Sequence, residues 1–145
     1  IDSNWDAHAK MATYNKLSRN VDQPIAALIK DLKRRGMLEE TLVVWTTEFG
    51  RGVFSPNPGA EGRGHHSRNY CSWLAGGGIR GGMVYGSSDE LGNEVTEDAV
   101  SVHDFQATIL QQLGIDHERL TYRFLGLDQR LTGGEGAKVL PQLVA

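Results

Sequence analysis

The stretch that most constrains this chain runs from Thr41 to His66. It begins with the apolar segment LVVWT, passes through a charged tip that contains Glu48 and Arg51, and ends in a histidine pair after a loop rich in glycine and proline. A nearly continuous apolar run rich in β-branched residues is typical of a strand covered on both faces, as in a parallel sheet. Open α/β sheets usually place their chemistry at the carboxyl ends of such strands. The stretch therefore predicts an α/β fold with a polar site after this strand.

A helical pattern precedes this stretch. Residues 22–35 carry apolar side chains at i, i+3, i+4 and i+7, which is the spacing of one buried helix face. Asp22 can cap the first turn, and Pro24 is tolerated there because no backbone N–H is needed from it. Gly36 is expected to end the helix. A helix followed by a buried strand is half of a βαβ repeat, which again favours an α/β fold.

A second helix is expected at residues 104–113, where apolar residues recur at helical spacing before Gly114. Asp104 is interpreted as its N-terminal cap. His117 follows in a short polar turn and is expected at the surface. Cys71 lies in an apolar run and is expected to be an inert core residue.

Length and composition restrict the possible functions. The chain has 145 residues, enough for one domain with a core, and a formal net charge of −3. It has no basic run that would track nucleic acid and no apolar run near the ~20 residues of a membrane span. We therefore expect a single domain over residues 1–145, with neither nucleic acid nor a membrane as partner. Because the first residue is Ile1 instead of Met, we also expect a fragment of a longer protein.

Asp6 and His8 are the first candidate site residues. Residues i and i+2 of an extended segment project to the same side, so a carboxylate oxygen and an imidazole nitrogen could reach one metal ion. A salt bridge within a loop explains the same pair equally well. The two residues alone leave both interpretations open.

Glu48, Arg51 and the histidine pair are the second group of candidates. A carboxylate at the end of a buried strand needs a partner, which is either Arg51, in a structural ion pair, or a cation. The planar guanidinium of Arg51 also suits a phosphate or sulfate oxyanion. His65 and His66 are adjacent, so on an extended segment they point to opposite sides, and only one is expected to bind a metal directly.

Five longer motifs follow one another along the chain: WDAH, DLKRRGMLEETLVVWTTEFGR, GRGHH, WLAGGGIRGGMVYGSSDELG and VHDFQATILQQLGIDHERLTYRFLGLDQRLT. In this order they resemble the C-terminal half of a DUF1501 protein, and the resemblance covers almost the whole chain. DUF1501 proteins are similar to the alkaline phosphatase and sulfatase superfamily. The resemblance implies a three-layer α/β/α sandwich with a mostly parallel sheet and metal ligands at the C-terminal ends of its strands.

The resemblance also assigns roles to residues. The residues expected to bind one or two divalent cations, with zinc the expected metal, are Asp6, His8, Glu48, His65 and His66. Phe49 stands where the superfamily usually has a further ligand, His or Asn, and it cannot bind a second ion. Gly64 stands where the family more often has Asp, so a carboxylate is absent beside the histidine pair.

The function implied by the resemblance is the metal-dependent hydrolysis of a small anionic ester of phosphate or sulfate. Arg51 would hold a non-bridging oxygen of the ester. The nucleophile is expected in the N-terminal half of the parent protein, so the isolated chain is expected to be inactive. The alternative is a non-catalytic member of the superfamily that serves as a binding or structural module. Some DUF1501 proteins carry export signals, which is compatible with a periplasmic or secreted parent.

Overall fold

The computed structural model of the chain describes residues 5–134 and 136–145. Within them, one helix precedes six short strands, and a second helix precedes two more; the eight strands pair into four separate two-stranded sheets. In chain order these elements are α1 Thr13–Arg34, β1 Val43–Trp45, β2 Gly50–Arg51, β3 His65–His66, β4 Trp73–Ala75, β5 Ser87–Ser88, β6 Val95–Glu97, α2 Val102–Gln112, β7 Thr121–Phe124 and β8 Leu127–Arg130. A 3₁₀ turn follows at Pro141–Leu143.

The predicted three-layer α/β/α sandwich with a mostly parallel sheet is wrong. All four strand pairs are antiparallel: β1 with β4, β2 with β3, β5 with β6 and β7 with β8. Parallel pairing needs a long crossover, usually a helix, between the two strands. Residues 46–72, all described, contain the β2–β3 ribbon and no helix, so the chain returns beside β1 in the opposite direction.

Strand β1 is also less buried than its apolar sequence predicts. Val44 and Trp45 are 37% and 41% exposed, so the strand is not covered on both faces. Trp45 pairs with Trp73 of β4, and their rings lie parallel with centroids 6.2 Å apart. The two tryptophans are a directly opposite aromatic pair, a kind of cross-strand contact that stabilises a sheet.

Helix α1 is longer than predicted. It starts at Thr13, so Asp22 and Pro24 lie inside it and do not form its first turn. Its end is as predicted: Gly36 has a φ of +69°, its N–H donates to the Lys33 carbonyl, and the Met37 N–H donates to the Leu32 carbonyl. This double hydrogen bond is the Schellman arrangement, which favours glycine because of the positive φ.

Helix α2 begins two residues before the predicted start. Ser101, not Asp104, is its cap, because the Ser101 hydroxyl accepts a hydrogen bond from the Asp104 backbone N–H. The Asp104 carboxylate instead accepts from the Lys138 backbone N–H at 2.7 Å. Burial raises the pKa of Asp104, but this bond and the Ser101 hydroxyl outweigh it, so the pKa is lowered.

The small core lies where the C-terminal tail crosses α2. Ala107 and Thr108 of this helix are fully buried. The Thr108 hydroxyl donates to the Asp104 carbonyl at 2.8 Å and accepts from the Leu140 N–H at 3.0 Å. These bonds attach the tail to the helix and satisfy a buried hydroxyl, which would otherwise be costly.

Two further expectations from the sequence are wrong. His117, expected at the surface, is only 8% exposed, and its Nδ1 lies 3.2 Å from the hydroxyl of the buried Thr132. Cys71, expected in the core, is exposed. The neighbouring residues of His117 are polar and those of Cys71 are apolar, which is why each was expected at the wrong depth. Burial depends instead on which distant segment packs against the residue.

The accessible surface is large for the size of the chain. It amounts to 10674 Å², whereas a folded monomer of this mass exposes about 7,300 Å². The excess, about 3,300 Å², includes large apolar side chains such as Leu28 of α1 and Phe124 of β7, both more than half exposed. No helix in the described part of the chain is long and apolar enough to cross a membrane.

Candidate metal site

The carboxylate of Asp6 is the centre of the candidate site. Its Oδ1 lies 2.6 Å from Nη2 of Arg51, 2.9 Å from Nε2 of His65 and 3.2 Å from Nδ1 of His8. One potential ligand atom from each of Asp6, His8 and His65 lies within 4.8 Å of the others. The structure therefore brings together three of the five residues predicted as metal ligands.

The β2–β3 ribbon supplies two members of this cluster. Its register places Arg51 directly opposite His65 and Gly50 opposite His66. Because opposite residues of an antiparallel pair project to the same face, the guanidinium and the imidazole both approach Asp6. Gly50 is required here, since a Cβ at this position would lie 1.7 Å from the Asn69 carbonyl oxygen.

The segment that carries Asp6 and His8 is held by the loop before β3. The Arg63 N–H donates to the Ala7 carbonyl at 3.2 Å, and the Ser55 hydroxyl donates to the His8 carbonyl at 2.8 Å. Gly62 makes this approach possible, because a Cβ there would lie 1.9 Å from the carbonyl carbon and oxygen of His8. The glycine-rich loop therefore has a definite role, which is to admit the segment beside β3.

The hydrogen bonds that His65 and Arg51 donate to Asp6 lower the pKa of its carboxyl group from 3.8 to about 2. The hydrogen bond from His65 is the largest cause and the one from Arg51 the next, because both favour the ionised carboxylate. Asp6 is therefore an anion over the whole physiological pH range. An ionised carboxylate is the form that binds a metal ion.

Glu48 does not join this cluster. Its Oε2 accepts from the Thr47 hydroxyl at 3.1 Å, and its own backbone N–H and Thr47 lower its pKa. The alternative ion pair with Arg51 is not formed either, because the guanidinium contacts Asp6 and the backbone carbonyls of Arg63 and Trp5. Metal binding by Glu48 stays a prediction that would require a local rearrangement.

His66 lies apart from His65, as expected for neighbours on an extended segment. Its Nε2 lies 3.2 Å from Oδ1 of Asn93, and its Nδ1 accepts from the Arg68 backbone N–H at 3.3 Å. Both ring nitrogens therefore have partners outside the Asp6 cluster. Of the two histidines, His65 is the one placed to act as a ligand.

Phe49 is a further member of the site, although from the sequence it was expected only to lack a ligand atom. Its ring lies nearly parallel to the imidazole of His65, with centroids 5.2 Å apart and an angle of 14° between the planes. His65 also contacts the His8 ring, at 4.8 Å. The i, i+2 spacing of Phe49 and Arg51 was the available signal, because such residues project to one side of an extended segment.

The three donors fit a divalent transition metal. Two imidazoles and one carboxylate are a ligand set found in catalytic zinc sites, which use three protein ligands and leave a position for water or substrate. Asp6, His8 and His65 have side chains that are 49%, 32% and 44% exposed, so solvent and small molecules can reach them. Arg51 is less exposed, at 23%, and adds a fixed positive charge beside the donors.

Comparison with known proteins gives a family but no activity. A search of curated proteins found no match to this chain. A search of solved structures also found none. Comparison with protein families matches residues 1–144 to the family described as "Protein of unknown function (DUF1501)". Since the match extends over nearly the entire sequence, the chain belongs to the DUF1501 family.

Proposed function

We propose that this chain is the metal-binding part of a divergent hydrolase of phosphate or sulfate esters, related to alkaline phosphatases and sulfatases. The observation that carries the proposal is the convergence of Asp6, His8 and His65 beside the guanidinium of Arg51. Metal donors next to a fixed cation suit a substrate with a tetrahedral oxyanion. The expected substrate is therefore a small anionic ester.

Asp6, His8 and His65 would hold one divalent cation, with zinc the expected metal. A bound divalent ion would polarise an ester oxygen and lower the pKa of a bound hydroxyl group or water. The chain itself contributes the ionised carboxylate of Asp6 and two imidazole nitrogens. A second ion would have to recruit Glu48 or His66, whose present partners lie elsewhere.

Arg51 has a proposed role in both states of the site. Without a metal, its guanidinium neutralises Asp6 through the 2.6 Å contact. With a cation on Asp6, the guanidinium would be released to hold a non-bridging oxygen of the ester and to stabilise the charge that develops there. Its planar donor pair matches two oxygens of phosphate or sulfate, which a lysine cannot do as well.

The remaining parts of the catalytic machinery are proposed to come from the N-terminal half of a longer parent protein. The exposed surface supports this, because the excess of about 3,300 Å² is several times the ~800 Å² that each partner contributes to a standard interface. The nucleophile would lie in that half, and this chain alone would not turn over an ester.

Metal analysis of the purified chain tests the ligand assignment. We expect close to one zinc per chain after purification without chelator, and its loss in Asp6→Asn and His65→Ala. Glu48→Gln and His66→Ala are matched controls, because they remove the same chemical groups at positions outside the cluster. Full zinc occupancy in both cluster variants would show that these residues are not ligands.

Activity is tested in the parent protein that contains both halves. An aryl phosphate and an aryl sulfate are suitable probes, since their phenol products are easily measured. Arg51→Lys should lower kcat/KM by about 10-fold or more with the metal content unchanged, because the bidentate contact is lost. If the intact parent hydrolyses neither probe class, the proposed activity fails even where zinc is bound.

A second candidate function is a non-catalytic binding or structural module. The observation that favours it is that Arg51 already neutralises Asp6, so the cluster is electrostatically satisfied without an ion. Phe49, which cannot ligate, points the same way. Zinc bound with no turnover by the parent protein would support a binding module, and no zinc bound would support a structural one.

A further inference from the structure

We propose that Phe49 is a positioning residue, which fixes the imidazole of His65 toward Asp6 and thereby sets the affinity of the site for its metal. The inference rests on the proposed metal-binding function. It adds a role for a side chain that has no donor atom. It also gives a physical reason for a fixed orientation of an exposed histidine on a two-residue strand.

The geometry of the contact is that of an aromatic stack. The Phe49 and His65 rings are 14° from parallel with centroids 5.2 Å apart. Offset stacking of flat rings is attractive beyond the area that it buries. The contact lies on the ring of His65, while Nε2 at its tip points to Asp6 Oδ1 at 2.9 Å.

The orientation of the His65 ring needs such support, because the short strand that carries it restricts the side chain only weakly. Strand β3 has only two residues, and the His65 side chain is 44% exposed. An exposed side chain on a short ribbon loses rotamer freedom when it binds a metal, and that loss weakens binding. A ring that is already stacked has lost this freedom before the ion arrives, which is the usual effect of groups that orient metal ligands.

Phe49 is itself held in place at the entry to β2. The Thr47 hydroxyl lies 3.1 Å from the Phe49 carbonyl oxygen and shares its single proton between that oxygen and Glu48, and the next two residues pair with β3. The Phe49 side chain is 40% exposed, so more than half of it is covered. By contrast Phe54, in the following loop, is 82% exposed and has no aromatic partner among the described residues.

The test compares Phe49→Leu, which keeps apolar bulk but removes the flat ring, with Phe49→Tyr, which keeps the ring. Zinc affinity is measured by competition with a chromogenic chelator, and the visible spectrum of the Co²⁺ form reports the ligand geometry. We expect about 10-fold weaker zinc binding for Phe49→Leu and rescue to near the wild-type value in Phe49→Tyr. Phe54→Leu is the matched control and should bind zinc as the wild type does.

A readout on the metal-free chain separates this inference from the proposed function. The NMR resonances of the His65 ring should carry a ring-current shift from Phe49 and should show averaging over rotamers in Phe49→Leu. If the wild-type chain binds no zinc, the metal proposal fails, and these resonances still decide whether Phe49 fixes the ring. Unchanged His65 resonances or unchanged zinc affinity in Phe49→Leu would overturn the inference.

Discussion

Nη2 of Arg51 lies 2.6 Å from Oδ1 of Asp6, across 45 residues of sequence. This ion pair joins the segment before α1 to the β2–β3 ribbon. Arg51 is also bound to the carbonyls of Trp5 and Arg63, so one guanidinium ties both sides of the candidate site together. The metal-free site is therefore organised by charge before any ligand binds.

Stability should depend on pH through Asp6. Its folded pKa, about 2, is below the ordinary 3.8, so the folded state binds a proton more weakly than the unfolded state does. The stabilisation is thus fully present above about pH 4 and is lost as the pH falls through about 2. Thermal unfolding measured from about pH 5 to about pH 2 should show Tm falling more steeply for the wild type than for Asp6→Asn.

The matched control for this experiment is Asp128→Asn, which removes an exposed carboxylate on β8 and should keep the wild-type slope. Because Asp6 is half exposed, solvent screens the ion pair and the difference in slope should be modest. Parallel Tm curves for the wild type and Asp6→Asn would contradict the assigned contacts.

The loop that carries Gly62 should tolerate no side chain. In Gly62→Ala the new Cβ would lie 1.9 Å from backbone atoms of His8, so the two segments must separate. Asp6 and His8 would then move away from His65, and we expect zinc affinity to fall by at least about 10-fold. Chelator competition measures this. Gly81→Ala is the control, since a Cβ there meets no atom within 4 Å, and equal losses in both variants would refute the close approach.

Removal of the Thr108 hydroxyl should lower the free energy of unfolding clearly, although the group is small. Thr108→Val keeps the shape but removes the donor to the Asp104 carbonyl and the acceptor for the Leu140 N–H. Leaving buried groups without partners costs about 1–3 kcal/mol, so the free energy of unfolding in urea should fall by that amount. Thr121→Val, on the exposed strand β7, should change it by less than about 0.5 kcal/mol. If the free energy of unfolding fell by less than about 0.5 kcal/mol in Thr108→Val as well, the C-terminal tail would not dock on α2.

The proposed association with an N-terminal half predicts that the exposed apolar surface becomes protected in a protein that contains both halves. Trp45 is 41% exposed and lies against Trp73 on the small β1–β4 sheet. If the N-terminal half covers this sheet, tryptophan emission should shift to the blue and Cys71, which is exposed in the chain alone, should react more slowly with a thiol reagent. The same emission maximum and thiol reactivity in both proteins would show that the sheet stays uncovered.

Much of the local structure could be predicted from the sequence, because it depends on neighbouring residues. Both helix ends follow from a glycine that adopts positive φ, Gly36 after α1 and Gly114 after α2, and both predictions are confirmed. The N-terminal cap of α2 was harder to predict from the sequence. Ser101 and Asp104 are both good caps, and only the hydrogen bonding of the docked tail shows which one has that role.

The layered sheet could not be predicted correctly, because a strand pattern does not specify its partner. The apolar run at β1 is compatible with a parallel or an antiparallel neighbour. The β2–β3 ribbon between β1 and β4 turns the chain back and makes the pair antiparallel. The burial of His117 and the exposure of Cys71 were missed for the same reason, since burial depends on segments far away in the sequence.

For the candidate site, the sequence by itself determined the chemical groups: a carboxylate and an imidazole two residues apart, a guanidinium at the end of a strand, and a histidine pair after a glycine-rich loop. The tertiary structure decided which of them meet. It brings Arg51 to Asp6 and not to Glu48, it places His65 in the cluster and His66 outside it, and it makes Phe49 a neighbour of the imidazole. The physical reason is that side chains alternate across a two-stranded ribbon, so the register of β2 with β3 selects the face that approaches Asp6.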